Sequence, residues 1–172
     1  MKLNWYKKTE DHSLTIPADI LYLKHRWSTI YKNILIVGQS LKYNQVFANL
    51  SIKNIDVDAI KTQEDYKNIE HFDCILCYHS LSSLSYKECQ MVLSKLAELL
   101  NRDGEIYLTI LSKDSYFYKN KSKTENNLYV NQSDLEVLLQ PFSLKDIEYT
   151  KRITSNNRPN PHYYILATKA GF

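Results

Sequence analysis

The residues Tyr78-His79-Ser80 leave a strongly apolar run, Phe72-Asp-Cys-Ile-Leu-Cys77, and are the first place where this chain could do chemistry. An imidazole there can line a pocket or take a proton from a substrate, because its charge changes near neutral pH. The plainer role is a histidine that hydrogen-bonds its own loop. A second place is Gly38-Gln39-Ser40, directly after Asn33-Ile-Leu-Ile-Val37. Glycine lets backbone approach a nucleotide closely; the alternative is a simple strand-to-helix turn capped by Ser40. A third is Asp58, or Asp56, closing Asn54-Ile-Asp-Val-Asp58. A carboxylate offers two acceptor oxygens, which suits the two hydroxyls of a ribose. It could also be a solvated strand end or a helix cap. His162, at the start of the last apolar run, could reach the same region, although an exposed strand-edge histidine is the plainer expectation.

Other chemistry is disfavoured by spacing. The histidines at 12, 25, 71, 79 and 162 and the cysteines at 74, 77 and 89 show no metal-ligand pattern, so no metal site is expected. Cys74 and Cys77, three apart on one strand, point to opposite faces and cannot easily bridge. An unpaired set of three thiols fits a reducing compartment. Lys113, Lys119, Lys121 and Lys123 interleave with Tyr116, Phe117 and Tyr118. That mixture can stack on bases and meet phosphates. With 22 basic and 19 acidic residues, net +3, a solvated loop is the better reading, and nucleic acid is not an expected partner.

The rest of the chain must position these groups. It has 172 residues, 44% hydrophobic and 24% charged, which suits one folded domain spanning 1–172 with a polar segment at 1–15. No apolar run approaches a membrane span and the first residues hold no signal core, so a cytoplasmic protein is expected. Three apolar runs, at 33–37, 72–77 and 105–111, read as strands buried on both faces. Helical spacing of Ile20, Leu23, Trp27 and Ile30 follows Pro17. Val46, Phe47 and Leu50 suggest a helix over 41–50. Asn54–Asp58 reads as a short strand, and 60–70 as a short helix or loop. Ser85 and Glu88 form a capping box for a helix over 86–100. Asn101-Arg-Asp-Gly104 reads as a tight turn, 112–127 as a polar loop, and Ser133 as the cap of a helix through Leu139. Strands are expected at 143–149 and 163–168, with a loop over 150–161. Alternating strands and helices followed by strand–loop–strand imply an α/β fold. Its sheet should be mainly parallel, with helices on both faces and an antiparallel C-terminal hairpin.

Four stretches in this order resemble the class I S-adenosylmethionine-dependent methyltransferases, in particular the small bacterial methyltransferase-domain type. They are Ile34–Gly38, Phe47–Asp58, Phe72–Leu84 and Leu99–Leu108, and the tail from Leu128 to Ala167 is similar as well. The resemblance implies a Rossmann-like sheet and S-adenosylmethionine as cofactor. It places Gly38, Gln39, Ser40, Asp58, Tyr78 and His79 around that cofactor, with His79 the one candidate catalytic residue. It implies methyl transfer to a small-molecule acceptor. Such a reaction needs little acid–base machinery, because the sulfonium is already an activated leaving group and alignment does most of the work.

Two departures bear on that expectation. The family's loop after the first strand is glycine-rich, whereas this chain has only three glycines, at 38, 104 and 171. And only residues 58–71 separate the second strand from the run at 72–78. A crossover with the family's extra strand needs ~30 residues or more. Weak cofactor affinity is therefore expected. The alternative function is a catalytically inactive protein of the same fold, a pseudoenzyme that serves a protein partner as a binding or scaffold module.

Overall fold

A computed structural model describes residues 16–38, 43–62, 70–121, 127–153 and 158–171. The chain runs α1 (Ala18–Ser28), β1 (Asn33–Val37), β2 (Ser51–Ile55), α2 (Val57–Thr62), β3 (Phe72–Cys77), α3 (Tyr86–Leu99) and β4 (Leu100–Ser112). It continues through α4 (Tyr116–Lys119), β5 (Tyr129–Val130), α5 (Gln132–Leu138), β6 (Phe142–Ile153) and β7 (Pro159–Lys169). One seven-stranded sheet has the order β2-β1-β3-β4-β7-β6, with β5 added beside β4. The pairs among β2, β1, β3 and β4 are parallel. β7 runs antiparallel to both β4 and β6.

The unbroken apolar runs follow from burial on both faces. Ile34, Ile36, Cys74 and Leu76 pack with Ile20, Leu23 and Trp27 of α1. Their neighbours Leu35, Val37, Ile75 and Cys77 pack with Val92, Leu93 and Leu96 of α3. Each one-residue step along a strand changes layer, so Cys74 and Cys77 lie on opposite faces as their spacing requires, and all three cysteines are free and buried. The start of α3 is fixed by Ser85, which accepts from the Glu88 amide (3.2 Å) while Glu88 accepts from the Ser85 amide (2.8 Å).

Several local expectations are corrected. Of the helix expected over 41–50, residues 41–42 lie outside the described residues, Tyr43 is 3₁₀ and 44–50 form successive turns, closed by bonds such as Val46 N–H to Tyr43 O and Leu50 N–H to Phe47 O. A three-residue turn period still puts Tyr43, Val46, Phe47 and Leu50 on one buried side, which is why the stripe looked helical. The second strand sits earlier than expected, at Ser51–Ile55, so Asp58 lies in the first turn of α2 and not at a strand end. Asn101–Gly104 stays within β4 as an outward excursion, because Phe72 pairs with Leu100 while Cys74 pairs with Glu105. Gly104 is required there: a Cβ would stand 2.7 Å from the Asp73 carbonyl oxygen. The cap of α5 is Asn131, whose side chain accepts from the Asp134 amide, and not Ser133. Residues 116–119 make one helical turn inside the expected loop. Strands β6 and β7 extend through Ile153 and from Pro159, so the ends of the expected loop over 150–161 are strand; residues 154–157 lie outside the described residues. The prolines fit because β7 before His162 pairs with β6 alone, leaving its other edge free of a ladder.

Candidate ligand crevice

From β1 the chain steps outward to β2, then crosses to the other side of β1 to form β3. The carboxyl ends of β1 and β3 therefore part at a switch point, the place where open α/β sheets hold ligands. Here a crevice of about 480 Å³ opens, lined by Gly38, Asp56, Asp58, Tyr78, His79 and Ser80 among others.

Gly38 follows β1 with φ +80°, a left-handed conformation that favours glycine. Its N–H donates to Ile55 O (2.8 Å), tying β1 to β2. A Cβ on Gly38 would meet Ser80 Oγ at 2.5 Å. Ser80 occupies that space because its hydroxyl donates to Val37 O at 2.6 Å, lacing the turn after β3 onto β1. His79 in the same turn holds φ +55°, rare for a side-chain-bearing residue. Its N–H donates to Thr109 Oγ1 of β4 (2.8 Å), and its Nδ1 lies 3.3 Å from the same oxygen. The turn is thus pinned on both sides, with the exposed His79 ring at the crevice.

Tyr78, buried beneath, meets Tyr43 edge-on at 5.6 Å and stacks with Tyr107 at 6.4 Å. On the opposite wall, Asp56 directly follows β2. Its Oδ1 accepts from the Asp58 amide (3.0 Å) and its carbonyl from the Ile60 amide, so it caps α2. Asp58 points to solvent, 81% exposed, and pairs with Lys61 at 2.9 Å. That pair and a second bond to Glu88 raise the Lys61 ammonium above its ordinary range.

Gly38, Asp58, Tyr78 and His79 are thus brought to one crevice, whereas Gln39 and Ser40 lie outside the described residues. His162 departs from expectation. β7 is an interior strand, and His162 is buried with its ring 5.2 Å from that of His79. Its Nδ1 stands 2.8 Å from Asn160 O. A carbonyl only accepts, so Nδ1 carries the proton. Thr109 escaped the sequence reading. Its signal was an aliphatic hydroxyl set within the apolar run Ile106–Leu111. Asn160 gave no signal, because its role is carried by its backbone.

Part of the basic–aromatic stretch is engaged within the fold. Lys113 pairs with Asp134 at 2.6 Å and Lys121 lies 4.8 Å over the Tyr118 ring; Lys123 lies outside the described residues. Among the described residues no cluster of three or more histidine, cysteine or carboxylate groups is arranged to hold a metal, and no helix is long and apolar enough to cross a membrane.

No protein-family model matches the sequence, and neither does any curated protein. Solved structures do match. A 1,6-didemethyltoxoflavin-N1-methyltransferase from Burkholderia thailandensis, with its substrate and S-adenosylhomocysteine bound, aligns with TM-score 0.65 and 13% identity over 89% of this chain and 77% of its own. TehB from Haemophilus influenzae aligns with TM-score 0.64 and 13% identity over 92% of this chain, which spans 64% of TehB. A S-adenosylmethionine-dependent methyltransferase from Methanosarcina mazei gives 0.59 and 13% over 84% and 95%. At these identities the likeness is one of architecture: the chain has the Rossmann-like fold of S-adenosylmethionine-dependent methyltransferases.

Proposed function

We propose that this protein binds S-adenosylmethionine in the switch-point crevice and transfers its methyl group to a small-molecule acceptor. The observation that carries the reading is the convergence of Gly38, Asp56 and the Tyr78–Ser80 turn on one cleft at the carboxyl edge of a parallel sheet. Its volume, about 480 Å³, suits a nucleoside-sized ligand. Solved structures of the same fold, two of them methyltransferases by name and one holding S-adenosylhomocysteine, support the same reading.

The residues present fit the cofactor in part. Asp56 uses one carboxylate oxygen as a helix cap, leaving the other for a ribose hydroxyl. Asp58, turned outward to Lys61, serves the crevice less well. Gly38 keeps one wall at backbone height. When bound, S-adenosylmethionine supplies an activated methyl group, and the chain's contribution is to orient the acceptor and exclude water. Against tight binding, the Cβ space of Gly38 is already filled by Ser80, and the wall from β2 to α2 offers Val57 as its aliphatic side chain. Fewer apolar contacts and fewer close backbone donors each weaken binding, and every ~1.4 kcal/mol lost is tenfold in the dissociation constant. Calorimetric titration with S-adenosylhomocysteine tests the reading: saturable, weak binding supports it.

The same filled Gly38 space favours the second reading, an inactive scaffold on this fold. No heat at about 1 mM ligand, where a −4 kcal/mol interaction would register, moves that reading to first place.

A further inference from the structure

We infer that His79 and His162 act as one proton-accepting pair beside the crevice, and that the methyl acceptor therefore presents an O–H or N–H whose proton must leave. The inference rests on the methyl-transfer reading of the crevice and adds a substrate class to it. His79 is the member that meets the acceptor: its ring is exposed and lines the cleft. His162 is a positioning residue behind it, 6% exposed, its ring edge-on to that of His79 at 5.2 Å and 80°.

The pair is held from several elements at once. Thr109, buried on β4, takes the His79 amide and stands beside Nδ1. Asn160 O accepts from His162 Nδ1, so in the neutral ring the lone pair is on Nε2. Asn160 is itself fixed, since the fully buried Ser115 donates to its Oδ1 at 2.8 Å. The titratable groups facing the pair are Tyr78, 4.2 Å from His79 between ring centroids, and Tyr164, 6.2 Å from His162. Asp56 and Asp58 line the same crevice. A left-handed backbone at a histidine, a fixed tautomer and two imidazoles in contact are more than loop anchoring needs, because the amide bond to Thr109 already anchors the loop.

The acceptor's lone pair forms the bond to the methyl carbon, the carbon–sulfur bond breaks with its electron pair kept by sulfur, and the acceptor's proton moves to a ring nitrogen of His79. The products are a methylated acceptor, a neutral thioether and an imidazolium beside His162. An acceptor with no proton to lose would have no use for the pair.

Two readouts test this on the full chain. In the first, the imidazole proton resonances are followed by NMR against pH without any ligand, in the parent and in His79→Asn and His162→Gln. Asparagine is chosen at 79 because it tolerates the left-handed backbone. Removing either ring should move the other's titration midpoint upward by about half a pH unit or more, since a neighbouring positive charge has gone. If the surviving ring titrates unchanged in both variants, or in the one that folds, the pair is refuted. In the second, 4-nitrophenol is added with saturating S-adenosylhomocysteine at a pH about one unit below the phenol's own midpoint. The parent should raise its phenolate fraction about threefold or more, and His79→Asn should not. A phenolate fraction equal in parent and variant, bound or unbound, overturns the proton-accepting role. Failure of S-adenosylhomocysteine itself to bind would be seen separately by calorimetry. It would overturn the methyl-transfer reading and the acceptor class with it, while the NMR coupling would still report on the pair.

Discussion

The two edges of the parallel sheet use charge in opposite ways. At the amino edge, Glu105 is 1% exposed and accepts from Trp27 Nε1 (2.9 Å), Lys145 Nζ (2.9 Å) and the Nε and Nη2 of Arg26. Asp73 accepts from the Lys32 and Asn33 amides and from Asn101 Nδ2. Each carboxylate there is saturated by partners from distant parts of the chain. At the carboxyl edge, Asp56 and Asp58 are exposed and His79 holds an unfavourable backbone. The difference separates two tasks. One edge locks α1, β4 and β6 together; the other leaves its polar groups open to solvent.

Breaking the amino edge should have the largest effect. Glu105→Ala leaves a buried indole N–H and two cations without their acceptor and should cost ~3–5 kcal/mol, read by urea unfolding. Binding of S-adenosylhomocysteine by the folded fraction should be unchanged. The same site gives a pH signature. Burial pushes the Glu105 carboxyl up, but the hydrogen bonds from Arg26, Lys145 and Trp27 outweigh it and hold the group at about 2. A lowered folded value means stability that is fully present above the ordinary carboxyl range near ~4.3 and is lost as pH falls from there toward about 2. Acid unfolding should show that loss in the parent and not in Glu105→Gln.

At the carboxyl edge, Gly38→Ala imposes a side chain on a left-handed residue and meets Ser80. A destabilisation of ~1–3 kcal/mol is expected, with S-adenosylhomocysteine binding weakened at least about tenfold because Ser80 must move. The smallest effects divide the two aspartates. Asp56→Asn, which keeps a capping oxygen, should weaken the ligand by about five- to tenfold, the difference between a charged and a neutral hydrogen-bond acceptor. Asp58→Asn should change it less than about twofold, because that carboxylate is solvated and turned to Lys61. Equal effects at 56 and 58, measured by calorimetry, would erase the distinction drawn between them.

The sheet was legible because its central strands are buried on both faces, and continuous runs such as Ile34–Val37 and Cys74–Cys77 leave no other reading. The capping box at Ser85 and Glu88 was legible because its chemistry is local. The site was less so. Asp56 and Asp58 differ by the two residues that separate a strand end from a helix turn, and Val57, buried in α2, fits either reading. His162 looked like an edge residue because β7's place between β4 and β6 is a property of topology and not of its own sequence. The excursion at 101–104 was hidden for a similar reason: Asp-Gly normally separates two elements, and only the pairing of Leu100 with Phe72 shows that the strand has already begun before it.

Titrating S-adenosylhomocysteine into the parent protein and into Asp56→Asn in a calorimeter asks whether the carboxyl edge holds the cofactor. One saturable site per chain is expected, with a dissociation constant between about 10 μM and 1 mM, or about −7 to −4 kcal/mol, weakened by the substitution. No heat at millimolar ligand, or binding that ignores the loss of the Asp56 charge, would contradict it.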